Sequence, residues 1–133
     1  MPGWKFWKKK EDVEKPKEAE PPKLTELEQL CGDDKETYKA LSDTMFLDPR
    51  KIEVSVKEAA ENAKKFKKAK DFVRARVWYE IAGGLSIYER NVKNVVKFFS
   101  ECEKILPEGG YLILKNPEKA VAKAQEYYQK YLQ

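Results

Sequence analysis

Residues 59–82 read AAENAKKFKKAKDFVRARVWYEIA, and the spacing of small and aromatic residues within them decides the fold. Ala63 and Phe66 stand three apart, and Phe72, Ala75, Tyr79 and Ala82 follow at intervals of three, four and three. Such intervals place side chains on one face of a helix, where small residues let two backbones approach and aromatics fill the flanking gaps. The two faces are separated at Lys70-Asp71, so the stretch predicts a helical hairpin. Ser55-Val56-Lys57-Glu58 supplies a capping box for the first helix, expected over about 56–69, and Asp71 caps the second, expected over about 72–89.

Upstream, Thr25-Glu26-Leu27-Glu28 is another capping box, opening a short helix that runs to Cys31 and stops at Gly32. Asp33 or Asp34 caps a helix through about Phe46, with Tyr38, Leu41 and Met45 facing inward, and Leu47-Asp48-Pro49 ends it because the residue before Pro disfavours helix. Downstream, Val92, Val95, Val96, Phe99, Cys102 and Leu106 recur at periods of three and four, the core face of a helix over 91–106. Tyr111-Leu112-Ile113-Leu114 lies between breakers and is too short for an α-helix, so it reads as an extended segment capping the core. Asn116-Pro117 opens a last helix to about Leu132. Gly83-Gly84 fall inside the hairpin's second helix, at a cost of roughly 2 kcal/mol relative to two Ala. The expected compensation is a neighbouring helix passing against bare backbone; a binding groove or a kink is the alternative.

The small-aromatic spacing at Ala63, Phe66, Ala75 and Tyr79 resembles a tetratricopeptide unit. Ile87 stands where that unit has its terminal Pro, and Asn62 where it has Leu. Moving 34 residues on reaches Lys97, Ser100, Gly109 and Ile113, which do not repeat the motif. A solenoid needs about three stacked units, so the reading is a single unit. With the helix over 91–106 added, the arrangement is also similar to the microtubule-interacting-and-transport domain, a three-helix bundle. That family binds short helical tails of filament-forming membrane-remodelling proteins in grooves between its helices. The expected fold class is therefore all-α: a small helical bundle of about five helices around a tetratricopeptide-like hairpin, in one domain over 24–133, preceded by a disordered tail and linker over 1–23. That tail combines Lys, Glu and four Pro with little to bury, so ordering it costs entropy without return.

Charged residues make up 38% of the chain, above the usual quarter, while only four Asn, four Gln and no His are present. This composition matches hyperthermophile proteins. The net charge of +4 is polarised, with four Lys and no acid over residues 1–10, four bases against eight acids over 24–53, and nine against five over 54–90. Absence of His removes the triad, the ordinary proton shuttle near neutral pH and His metal ligation. No glycine-rich phosphate loop, GxSxG or HExxH motif occurs, and Glu101 and Glu103, two apart on a helix, make a poor acid–base pair. The expectation is no enzyme, no cofactor, no metal and no small-molecule substrate. Cys31 and Cys102 fall on apolar faces and read as two buried thiols, with a disulfide open only if their elements lie adjacent. No apolar run approaches the ~20 residues of a membrane span, the first ten residues lack a signal-peptide core, and Pro2 replaces the Gly that myristoylation needs. The expected location is cytoplasmic.

Two surfaces carry candidate partner-binding residues. At the N-terminal tip, Trp4, Phe6 and Trp7 are interleaved with Lys and followed by Lys8, Lys9 and Lys10. Such an arm can stack on bases or settle at lipid headgroups while its amines meet phosphate, or dock on a protein. On the hairpin, Lys64, Lys67 and Lys68, extended by Arg74 and Arg76, can meet carboxylates or phosphates, the guanidinium forks being the sharper groups. The favoured function is a protein–protein interaction module or adaptor binding through the hairpin groove, with the arm as second contact. The alternative is an RNA- or ribosome-associated protein using the arm and the basic helix, and an anionic membrane surface is a further partner for the arm.

Overall fold

The computed structural model describes residues 25–45 and 48–132, and the tail expected over 1–23 lies outside them. Six α-helices and three short 3-10 turns make up the secondary structure of the described residues, with no strand among them. The helices are α1 (Glu26–Cys31), α2 (Lys35–Thr44), α3 (Val56–Lys68), α4 (Phe72–Tyr88), α5 (Val92–Ile105) and α6 (Pro117–Tyr131). The chain is thus a small all-α bundle.

Side-chain caps start every helix, at the residues that the sequence marks for four of them, at Asp34 rather than Asp33 for α2, and at Asn91, a cap not expected from the sequence, for α5. Thr25 and Ser55 form full capping boxes with Glu28 and Glu58, and Asp34, Asp71, Asn91 and Asn116 each accept a backbone N–H three residues on. The turns α3–α4 and α4–α5 are built alike. Lys70 (φ 64°) and Arg90 (φ 62°) adopt the left-handed conformation, and the next residue's N–H closes onto Phe66 in one turn and Ser86 in the other. Two such turns in succession make α3, α4 and α5 three consecutive antiparallel helices. Their mutual packing forms most of the inter-helix contact, α4 lying between α3 and α5.

Of the hairpin residues singled out by spacing, Ala63, Ala75 and Ala82 are fully buried, as is Ala59, and Tyr79 nearly so, but Phe66 is only half-buried and Phe72, at the first position of α4 by the hairpin turn, is exposed. Small side chains on both helices permit the close approach, and Tyr79 fills the space towards Phe98, its ring 6.3 Å away. Gly83 and Gly84 leave α4 unbroken. A methyl group on Gly83 would lie 2.5 Å from Cε2 of Phe99, a fully buried ring on α5, so bare backbone here is what admits the aromatic. Gly84 differs, since its added Cβ would meet only the Thr44 carbonyl, at an ordinary 3.5 Å. Both glycines thus face a neighbouring helix, but only at Gly83 is the approach too close for a side chain.

Elements α1, α2 and α6 close the other side. Leu41 of α2 and Ile113, next to α6, are fully buried in the same core as Phe99 and Val95. Lys119 of α6 reaches Asp34 at the start of α2 (2.6 Å), and Arg50 in the 3-10 turn Pro49–Lys51 donates to the Leu132 carbonyl (3.1 Å). Cys31 and Cys102 are free thiols, both buried.

Three further expectations change in detail. Residues 112–114 form a 3-10 turn rather than an extended segment, although Tyr111 and Ile113 do cap the core. The core face of α5 is rotated: Phe98 is buried, whereas Val96 and Leu106 are exposed. Within α2, Thr37, Ala40, Leu41 and Thr44 are the buried set, with Tyr38 and Met45 half-buried; its expected last residue, Phe46, lies outside the described residues.

Candidate functional site

Helices α3 and α5 both pack on α4 but not closely on each other. Because α4 reverses the chain between them they run parallel, leaving an open depression. Glu61, Lys64, Lys65, Lys67 and Lys68 of α3 line it, with Tyr79 of α4 at its base and Glu101 of α5 opposite. Lys64, Lys67 and Lys68 share this side because intervals of three and four return to one helix face, whereas the alanines of the same helix turn inward.

One ionic cluster spans the depression. Lys67 Nζ meets Glu101 Oε1 at 3.1 Å, and Lys104 Nζ meets Glu101 Oε2 at 3.3 Å. Partial burial is the strongest single influence on Glu101 and raises its pKa, yet the Lys67 and Lys104 bonds together hold the carboxyl below its ordinary value. The Glu101 bond correspondingly raises the Lys67 ammonium. Burial, above all, raises the Tyr79 phenol, so at neutral pH the base of the depression is an uncharged hydroxyl. Beside it Lys97 places Nζ 5.6 Å from the Phe98 ring centre. Among the described residues, Lys64, Lys65 and Lys68 hold no carboxylate.

The structure brings Lys64, Lys67 and Lys68 together and sets the two arginines apart. Arg74 is exposed near the α3–α4 turn, 3.4 Å from Asp71 and 5.7 Å from the Phe66 ring centre. Arg76 points to the other flank of α4, where it bonds Glu80 (3.1 Å) and the Tyr111 hydroxyl (3.3 Å). Tyr111 Oη in turn donates to Glu80, and the Cys102 thiol reaches the Arg76 carbonyl. Burial pushes that thiol up to about 12, so it stays protonated and unreactive. Arg76 is thus committed to an internal network tying α4 to the segment after α5. Trp4, Phe6, Trp7, Lys8, Lys9 and Lys10 lie outside the described residues.

Glu101, Lys97 and Lys104 were not among the residues that the sequence pointed to, though a signal exists: Lys97, Glu101 and Lys104 are spaced four and three apart, one face of α5. What the sequence does not carry is that this face sits opposite Lys67, 34 residues earlier.

Among the described residues no group of three or more Cys, Asp or Glu could hold a metal ion, and no helix is long and apolar enough to cross a membrane. No protein-family model, curated protein or solved structure matches the chain.

Proposed function

We propose that the chain is a non-enzymatic protein-interaction module that receives a helical segment of a partner in the depression between α3 and α5. The observation that carries this reading is the depression itself, with two parallel helices as walls, α4 as floor and, along one rim, lysines that hold no carboxylate among the described residues. Two flanking helices leave a channel into which the ridge of a third can settle. The resemblance of the hairpin to a tetratricopeptide unit, and of α3–α5 to the microtubule-interacting-and-transport bundle, points the same way, since both families serve as partner-binding units. The Trp4 to Lys10 arm supplies a second contact in this reading, on protein or on an anionic surface, and the Lys- and Glu-rich composition suits a cytoplasmic protein of a thermophile.

An RNA partner is the less favoured reading on this surface. Both guanidiniums are engaged elsewhere, two carboxylates line the channel, and Tyr79 and Phe98 are too covered to offer ring faces for bases to stack on. Added salt does not discriminate, because lysine rims weaken with salt whether they meet phosphate or carboxylate. Nuclease does. A photo-crosslinker at Lys68 of the full chain, in native-cell extract, is expected to give a protein adduct that survives nuclease and is absent with the crosslinker at Lys39 on α2. A nuclease-sensitive adduct would transfer the function to RNA, and equal labelling from both positions would remove the channel from consideration.

A further inference from the structure

We infer that the end of the bundle at the α3–α4 turn docks on an anionic lipid bilayer, a contact separate from the channel. Phe72 and Val73, the first two residues of α4, are exposed, Val73 more than any other large apolar residue described. Leu106, exposed as well, comes to the same end. The Cys102 thiol marks the level, since it reaches the Arg76 carbonyl. One turn on along α5 is Leu106, and one turn back along the antiparallel α4 are Phe72 and Val73. Cations surround these three. Residues 64–77 hold seven Lys and Arg against Asp71 alone. Arg74 engages Asp71, and Lys67 and Lys104 engage Glu101, whereas the exposed Lys65, Lys68 and Lys70 hold no carboxylate among the described residues. Of the acids at the end of α5, Glu103 accepts the Tyr111 N–H, which leaves Glu108 to set against those three lysines.

Apolar side chains among unmatched lysines select the occupant. The Trp4 to Lys10 arm is cationic, with four Lys and no acid in the first ten residues, and a second copy presents the same cations, so both are repelled. Val73 and Leu106 are aliphatic and offer a nucleobase no ring to stack on. An anionic bilayer answers both features: headgroups meet the ammonium groups, lysine stems lie along the apolar side chains, and Phe72, Val73 and Leu106 enter the headgroup–acyl boundary. Residues 67–70 and 72–74 are all exposed, a convex tip that a fluid surface accommodates, whereas an acidic protein has to supply a matching hollow. Lys70 is held left-handed and the Asp71 N–H closes on the Phe66 carbonyl, so the tip is built before it docks and little ordering is left to lose. Three apolar side chains make a weak anchor, and the arm, with Trp4, Phe6 and Trp7 among its Lys, repeats the same chemistry as a second signal.

A solvatochromic fluorophore at Val73 of the full chain, titrated with vesicles of phosphatidylcholine containing about 30% phosphatidylserine, tests this directly. Its emission is expected to move to the blue with these vesicles, to stay in place with phosphatidylcholine alone, and to stay in place when the fluorophore is carried at Lys39 on α2. In vesicle flotation K68E/K70E is expected to lose about tenfold or more in affinity, and V73S/L106S about threefold. Flotation with no shift at Val73, or flotation indifferent to both variants, assigns attachment to the arm and overturns the inference, as does the absence of flotation. A blue shift given by soluble polyglutamate or by single-stranded RNA at a lower concentration of negative charge than the vesicles need assigns the tip to a protein or to nucleic acid, and overturns it likewise. Circular dichroism and the melting midpoint report the fold of each variant, which exposed positions allow; if either variant fails to fold, the fluorophore at Val73 in the otherwise unaltered chain still decides.

Discussion

In the C-terminal half of α4, Ala82, Gly83, Leu85, Ser86 and Ile87 are all buried; in its N-terminal half Phe72, Val73 and Val77 are 47%, 73% and 43% exposed. Part of the difference is sequence, since Arg74, Arg76 and Glu80 fall in the first half and no charged residue in the second; yet both halves carry large apolar side chains that demand cover. The rest is what reaches them. Thr44 at the end of α2, the 3-10 turn at Pro49 and Tyr128 of α6 close over the second half around Ile81 and Gly84. Over the first half α4 has chiefly α3 and α5, which bury Ala75 and Tyr79 but leave the opposite side bare. Burial along one helix is thus decided by distant elements, and the proposed channel lies where only the hairpin and α5 meet.

The strongest way to break this comparison is Ala75→Glu. Ala75 is fully buried although it belongs to the barer half, so the substitution places an unpaired charge in the hairpin seam. The expected loss is about 3–5 kcal/mol, read as a large fall in the denaturant midpoint. An unchanged midpoint would mean that the seam opens as readily as the exposed face. Next in size is Gly83→Ala. Phe99 is fully buried and packs on Tyr111, with ring centres 5.2 Å apart, so a methyl placed 2.5 Å from it must displace a buried ring. Overpacking costs about 1–3 kcal/mol. Gly84→Ala is expected to do the reverse and stabilise by up to about 1 kcal/mol through helix propensity, since 3.5 Å from the Thr44 oxygen is ordinary contact. Equal effects at the two positions would show that Phe99 does not press on Gly83.

This contrast between adjacent glycines marks where the sequence stops being legible. Helix starts are local, and Thr25, Ser55, Asp71 and Asn116 announce them through side chains that bond their own backbone. The hairpin is nearly as local, its two helices being joined by a tight turn. For α5, however, the set containing Val96 and Leu106 and the set containing Phe98 both satisfy intervals of three and four, and only the position of α4, whose Tyr79 meets Phe98, selects the second. Residues 111–114 show their burial but not their conformation, because four apolar residues fit a 3-10 turn as well as an extended segment. At the site, the Lys64, Lys67 and Lys68 side of α3 follows from spacing, whereas the opposing Glu101 and the removal of Arg76 into a network with Tyr111 depend on contacts across 34 and 35 residues. Such contacts leave no periodic trace.

Acid sharpens the comparison from the covered side. Asp34 accepts from Lys119 and from Thr37, and these bonds, Lys119 first, bring its carboxyl down to about 2. Asp48, bonded by Arg50, is likewise lowered to about 2. A carboxylate whose folded pKa is depressed contributes stability that is present above its unfolded value near 4 and is lost as pH falls towards 2. Both groups hold the cover over the second half of α4, through α6 and the 3-10 turn. Between pH 4 and pH 2, amide exchange in residues 79–88 is expected to rise before that in residues 56–68, and D34N should move the onset of this loosening to higher pH. Simultaneous loss across both stretches would show that the cover is not a separable unit.

The smallest expected effect falls on the bare half. Val73 and Val77 lie one turn apart on the side of α4 turned away from the channel, with Val73 the most exposed of the large apolar residues described. Because water already reaches them, replacing both by Lys removes little buried surface, and long lysine stems can lie along what apolar surface remains. The double substitution should change stability by no more than about 0.5 kcal/mol per site and leave partner binding to the α3–α5 channel unaltered. A change of 1 kcal/mol shifts the melting midpoint of a domain this size by roughly 4–8 °C, so the expected shift is small but measurable. A fall of many degrees, or a change in sedimentation, would mean that this face is covered in solution as fully as the far half of α4. The contrast within the helix would then mark a further docking surface, on the side opposite the channel.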